Sequence, residues 1–93
     1  MKILQSRSFE RNVKKFSKQD KAALDNQIRS IAGNPSIGEE KKGDIREVYV
    51  HKFKIKRIQY LLSYRLMGSD IELIMIGPHK NYYRDLKRYL KKG

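Results

Sequence analysis

Cysteine and tryptophan are absent from this 93-residue chain, which has only two prolines and two histidines. Without cysteine neither a disulfide framework nor a thiolate metal site can form, and two histidines alone do not make a structural zinc site. No metal and no cofactor are expected. No apolar run approaches the roughly twenty residues that span a membrane, and Met1-Lys2-Ile3-Leu4-Gln5-Ser6-Arg7 lacks the apolar segment of a secretion signal. The expectation is a cytoplasmic protein with no membrane partner. Acidic residues are scarce, ten against twenty-two Lys and Arg, leaving a net charge of +12. Twelve of the basic and four of the acidic residues fall in positions 45–93, so that half carries +8. Such an excess favours polyanions, nucleic acid ahead of a membrane surface, because no basic helix here keeps a bulky apolar face free once it packs. With 39% hydrophobic residues, the length suits one domain, 1–93, with one modest core.

The chain is organised around residues 71–90. From Ile71 to Ile76 only Glu72 is polar, which predicts a strand covered on both faces and central in a sheet, stopped by Gly77-Pro78. From Asn81 on, Tyr82, Tyr83, Leu86, Tyr89 and Leu90 share about a third of a helical wheel, while Arg84, Lys87, Arg88, Lys91 and Lys92 take most of the rest. That predicts a helix lying on a core, with Asn81 as its cap. His79 and Lys80 stand at the junction, where free backbone amides and the positive helix end favour a phosphate. His79 is also suited to acid–base chemistry near neutral pH.

In chain order, Lys2–Ser6 predicts a short edge strand. Ser8 is placed as the cap of a helix from Phe9, with Phe9, Val13 and Phe16 on one stripe. Ser17-Lys18-Gln19-Asp20 resembles a capping box with Asp for Glu, and Leu24, Ile28 and Ile31 mark the buried side of a second helix ended by Gly33-Asn34-Pro35. The short break between the two helices predicts a helical hairpin. Residues 34–44 are expected to be an exposed loop, with Glu39-Glu40-Lys41-Lys42-Gly43-Asp44 as a solvated charge run. Ile45–Val50 and Gln59–Met67 predict strands around a turn near Lys56-Arg57, and Gly68-Ser69-Asp70 predicts a hairpin turn. The whole is α+β: a small, mostly antiparallel sheet of about four strands, a helical hairpin on one face, and a C-terminal helix packed near the sheet's end.

The element order, His51-Lys52-Phe53-Lys54-Ile55 before a strand, Leu61-Leu62-Ser63-Tyr64, and Gly77-Pro78-His79-Lys80-Asn81-Tyr82-Tyr83-Arg84-Asp85-Leu86 together resemble the RelE/ParE superfamily of bacterial type II toxins. The last strand and helix are most similar to its ParE-like subgroup, and the resemblance spans the whole chain as a single RelE/ParE-like toxin domain. It implies a RelE-like fold and a cognate antitoxin as partner. It also implies one of two targets: messenger RNA on the ribosome, cut by RelE- and YafQ-type members, or DNA gyrase, poisoned by ParE-type members.

Under the resemblance, Lys52 and Lys54 match two lysines of RelE-like toxins. His79 and Tyr83 match the spacing of a histidine and an aromatic residue in YafQ-like ones. The middle-strand arginine of RelE-like toxins is Leu61 here, with Arg65 four positions on as its substitute, and the YafQ-type aspartate has no counterpart at Ile58 or Gln59. Cleavage by RNA's own 2′-hydroxyl needs that hydroxyl deprotonated, the phosphorane charge stabilised and the 5′-oxygen protonated. His79 is assigned as acid or base, Lys52, Lys54 and Arg65 as phosphate-binding cations, and Tyr83 as a positioning or base-stacking residue. Lys56, Arg57, Lys80 and Arg84 are further candidate RNA contacts, and His51 is a second choice at a strand end. A plain RNA-binding module is the remaining alternative. The silenced toxin implies an acidic antitoxin segment that is partly disordered until it folds over this surface.

Overall fold

The computed structural model describes residues 2–41 and 48–92, excluding the side chain of Lys92. In chain order the elements are β1 (Ile3–Gln5), α1 (Arg7–Val13), α2 (Lys18–Gly33), a 3-10 turn (Pro35–Ile37), β2 (Glu39–Lys41), β3 (Val48–Ile55), β4 (Ile58–Met67), β5 (Asp70–Pro78) and α3 (Tyr82–Lys92). The expected α+β fold is present, with five strands rather than about four. They run in the order β1-β5-β4-β3-β2, antiparallel except that β1 is parallel to β5.

The additional strand, β2, lies in the segment expected to be a loop. Glu39–Lys41 has no apolar alternation, and its strand character comes from pairing with Val48–Val50 and from the anchor just before it. The fully buried Tyr64 donates its hydroxyl to the Pro35 carbonyl at 2.6 Å and accepts the Gly38 N–H at 3.0 Å. The expected strand residues Ile45, Arg46 and Glu47, and Lys42, Gly43 and Asp44 of the charge run, lie outside the described residues.

Successive strand residues face opposite sides of the sheet, and both sides are covered. On one side Phe9 of α1 and Leu24 and Ile31 of α2 pack on Phe53, Ile55, Leu62, Tyr64, Ile71, Leu73 and Ile76. On the other, Tyr82 and Leu86 of α3 pack on Val48, Val50, Leu61 and Ile74. The helix α3 is therefore not placed at the sheet's end; it forms a third layer. An irregularity at Ser63/Tyr64, where Ser63 opposes Met75 but Tyr64 opposes Leu73, inserts Ile74 into β5. The extra residue lets Ile74 and Met75 both pack with the α3 layer while Leu73 and Ile76 serve the other core.

Three local expectations shift. Ser6, not Ser8, caps α1: its Oγ accepts the Phe9 N–H at 3.0 Å and donates to the Ile74 carbonyl, so one hydroxyl serves the helix and the sheet. β5 runs through Gly77 and Pro78, which pair with Leu61 and Tyr60; proline is tolerated at a strand end. Asn81 has φ 62°, in the left-handed region rather than the extended conformation of a capping residue, and its carbonyl accepts the Asp85 N–H at 3.1 Å. Ser17 does cap α2, accepting the Asp20 N–H at 3.1 Å. Among the described residues no helix is long and apolar enough to cross a membrane, and no three His, Asp or Glu side chains cluster as metal ligands.

Candidate functional site

The alternation along β3 places Val48, Val50, Lys52 and Lys54 on the side that α3 covers. The two valines are buried there and the two lysines are exposed. Lys52 opposes Leu61, which opposes Gly77 two strands across the sheet, about 10 Å away at normal strand spacing. His79 follows two residues later, so the lysines and the histidine share one end of the sheet.

His79 is exposed in the bend between β5 and α3, and its carbonyl accepts the Tyr82 N–H at 3.1 Å. Its ring meets that of Tyr83 edge-on, with centroids 6.1 Å apart and planes at 81°. Tyr83 is half-buried and edge-on to Tyr82 as well, at 5.7 Å. Tyr82 holds the first turn of α3 in place: its buried hydroxyl lies 2.7 Å from Ser63 Oγ and 2.7 Å from the Met75 carbonyl. Burial pushes the Tyr82 phenol well above its usual range. The first turn of α3, in which Tyr83 follows Tyr82, is thus pinned to the sheet by a hydroxyl pair inside the α3 layer.

Two residues absent from the sequence assignment join this group. Lys41 opposes Val48 and Glu39 opposes Val50, which puts both on the α3 side. The Lys41 ammonium lies 5.1 Å from the centroid of the Tyr83 ring and 2.8 Å from Glu39 Oε1. Hydrogen bonding to Lys41 holds the Glu39 carboxyl below its ordinary value, with a smaller contribution from the charge of Lys52. Lys41 is held above its own by Glu39, against its partial burial, with Tyr83 assisting. The only sequence signal was membership in a charge run, a pattern that usually marks solvated surface.

The remaining predicted residues lie elsewhere. Arg65 is on the α3 side but opposes Val48, four positions or about 13 Å along β4 from Leu61. It pairs with Glu72 at 3.7 Å beside a hollow of about 230 Å³ lined also by Tyr89 and Leu90 of α3. The ground covered by Tyr82 and Leu86 separates it from Lys52 and His79. Lys56, with φ 59°, and Arg57 form the β3–β4 turn, and Lys56 points to α2, 3.5 Å from Asp20. Lys80 borders a 440 Å³ cleft with Asp20, Phe16 and Tyr60. Arg84 is exposed beside Asp85 at 3.6 Å. His51 faces the α2 side, 2.8 Å from Gln27 Oε1 and stacked on Phe53, and burial lowers its pKa.

What the structure gathers is a cationic face along β2 and β3, Lys52 and Lys54 at the end where α3 begins and Lys41 reaching the Tyr83 ring from the Val48 row, with an exposed imidazole on its rim. A family model for the ParE-like toxin of type II bacterial toxin-antitoxin systems matches residues 3–87. Three solved structures share the fold. A chain of the intact E. coli RelBE toxin-antitoxin complex superposes with a TM-score of 0.68 at 16% identity over 85% of this chain and 96% of that one. The YoeB/ParE toxin of Agrobacterium tumefaciens gives 0.68 at 22% identity over 85% and 99%. The isolated E. coli RelE toxin gives 0.65 at 17% identity over 94% and 96%. No curated protein sequence matches this chain.

Proposed function

This chain belongs to the ParE-like toxins of type II bacterial toxin-antitoxin systems, and from the residues of its cationic face we propose that it arrests growth by cutting messenger RNA on the translating ribosome. The observation that carries the reading is that His79 and Tyr83 meet at the strand end where Lys52 and Lys54 emerge from beneath α3. Lys52 and Lys54 bind the RNA backbone and offset the charge that grows on phosphorus. His79 removes the proton from the 2′-hydroxyl or delivers one to the departing 5′-oxygen, leaving a 2′,3′-cyclic phosphate and a 5′-hydroxyl. Tyr83 orients the nucleotide. Arg65, engaged by Glu72 under the far half of α3, has no part in this step.

The antitoxin supplies the acidic complement of the +12 charge, and covering this face silences it. Primer extension on transcripts after induction tests the proposal against DNA gyrase as target. New mRNA 5′ ends within reading frames are expected, and gyrase-linked DNA breaks in their place would overturn it. No growth arrest by either route would leave a plain RNA-binding module. His79→Gln should fold and associate with ribosomes normally while cleaving about a hundredfold more slowly. A fully toxic His79→Gln protein would remove His79 from the chemistry.

A further inference from the structure

Of the three lysines on this face, Lys52 and Lys54 are open to solvent and Lys41 is not. Its side chain keeps 20% of its exposure, with the ammonium held between the Tyr83 ring and Glu39. Glu39, by contrast, keeps 68% and is the carboxylate that pairs with Lys41. Its position is specific: opposite Val50 on β2, it is one same-face step from Lys52 on β3. A carboxylate therefore sits between Lys41 and Lys52 along this face, where the oxygens of an RNA phosphate would find two ammonium groups. The link is exposed, so a phosphate drawing on both lysines can replace it.

We infer that Glu39 is a phosphate stand-in which RNA displaces, and that Lys41 is a further substrate-binding cation, seating a backbone phosphate against the nucleotide that Tyr83 orients. This rests on the RNA-cleaving reading of the same face. The consequence is an asymmetry. Removing either partner breaks the same ion pair, yet losing Lys41 removes a phosphate contact while losing Glu39 removes a competitor. A purely structural pair, serving to hold β2 on β3, predicts the same direction for both.

The test is binding of the purified full chain to a short single-stranded RNA whose 2′-hydroxyls are methylated to block cleavage, followed by fluorescence anisotropy across a salt series. Lys41→Met should weaken binding about fivefold or more and reduce the salt slope by about 0.7, one phosphate contact on a single strand. Lys41→Arg should restore both. Glu39→Gln should tighten binding by about two- to fivefold at low salt, the sign a removed competitor gives. Thermal melts of each variant report folding, and only variants that melt cooperatively enter the comparison; Lys41→Arg and Glu39→Gln are the mildest and suffice for the sign. Glu39→Gln and Lys41→Met moving together, or neither moving, overturns the inference while wild-type cleavage of mRNA still upholds the reading beneath it. A wild-type chain that neither binds this RNA nor cuts mRNA overturns both.

Discussion

Gly38 and Tyr64 offer a direct measure of how the connector before β2 is fixed. A Cβ added at Gly38 would lie 2.6 Å from the Tyr64 hydroxyl and 3.0 and 3.1 Å from two ring carbons. Tyr64 is fully buried and stacked on Tyr49 at 5.5 Å, so its ring has little room to yield. Gly38 has φ −77° and ψ 160°, a conformation alanine adopts freely; the conflict is contact alone. Overpacking of this kind costs about 1–3 kcal/mol, offset by about 0.4–1 kcal/mol from the stiffer unfolded chain, for a net loss of about 1–2 kcal/mol. Tyr64→Phe leaves the Gly38 N–H and the Pro35 carbonyl without their partner, and because both are only part-buried the loss should be about 2 kcal/mol.

In the double variant the closest of the three contacts is gone, and the ring carbons need move only a few tenths of an ångström. The second substitution should then cost almost nothing, giving a coupling of about 1–2 kcal/mol between the two sites. Urea denaturation of the four proteins, with slopes compared to exclude altered denatured states, reads this directly. In melts each kilocalorie should appear as about 4–8 °C for a domain of this size. Effects that add to within about 0.5 kcal/mol would show that Gly38 does not meet Tyr64, and would refute the anchoring of β2 argued here.

Two further outcomes are expected. Replacing Lys52 and Lys54 together by Ala should weaken RNA or ribosome association and lower its salt slope by about 1.4, two single-strand contacts, without altering the melt; an unchanged slope would take both lysines off the phosphate backbone. His51 titrates on the α2 side beside the uncharged Gln27 and Phe53, and burial depresses its pKa. The unfolded chain then holds more protons than the folded one just below pH 6.5, so His51 contributes stability above that value that is lost as pH falls toward its depressed folded value. His51→Gln should flatten the urea midpoint between pH 5 and 7, and an unchanged pH dependence would show that His51 is solvated.

Where residues carry their own local signal, sequence and structure agree. Ser17 caps α2 through the Asp20 N–H, and the apolar stripe of α3 is the side that packs. Where a signal is ambiguous or depends on distant partners, they part. Ser6 and Ser8 are both plausible caps by type; Ser6 prevails because its hydroxyl also reaches Ile74, sixty-eight positions away. Glu39–Lys41 becomes a strand because of Val48–Val50 and Tyr64, none of which its own composition announces. Arg65 has the charge its assignment asked for, but strand register puts it opposite Val48 and Glu72 rather than Lys52.

One feature of the sequence does contain both the third layer and the cationic face. In Val48-Tyr49-Val50-His51-Lys52-Phe53-Lys54-Ile55 the buried apolar positions are 48 and 50, then 53 and 55. A strand that serves one core keeps its apolar residues in a single phase; this one changes phase at His51-Lys52. The change means that its first half is covered on the α3 side as well as by Tyr49's packing on the other, while its second half is covered on the α1–α2 side alone. It also means that Lys52 and Lys54 continue the line of Val48 and Val50 into solvent as soon as α3 no longer covers them. The same step that divides the core into two thus exposes the lysines on the face where α3 begins, next to Tyr83 and His79. Their basic character there costs no buried charge, and their place is set by strand alternation and not by the lysines themselves.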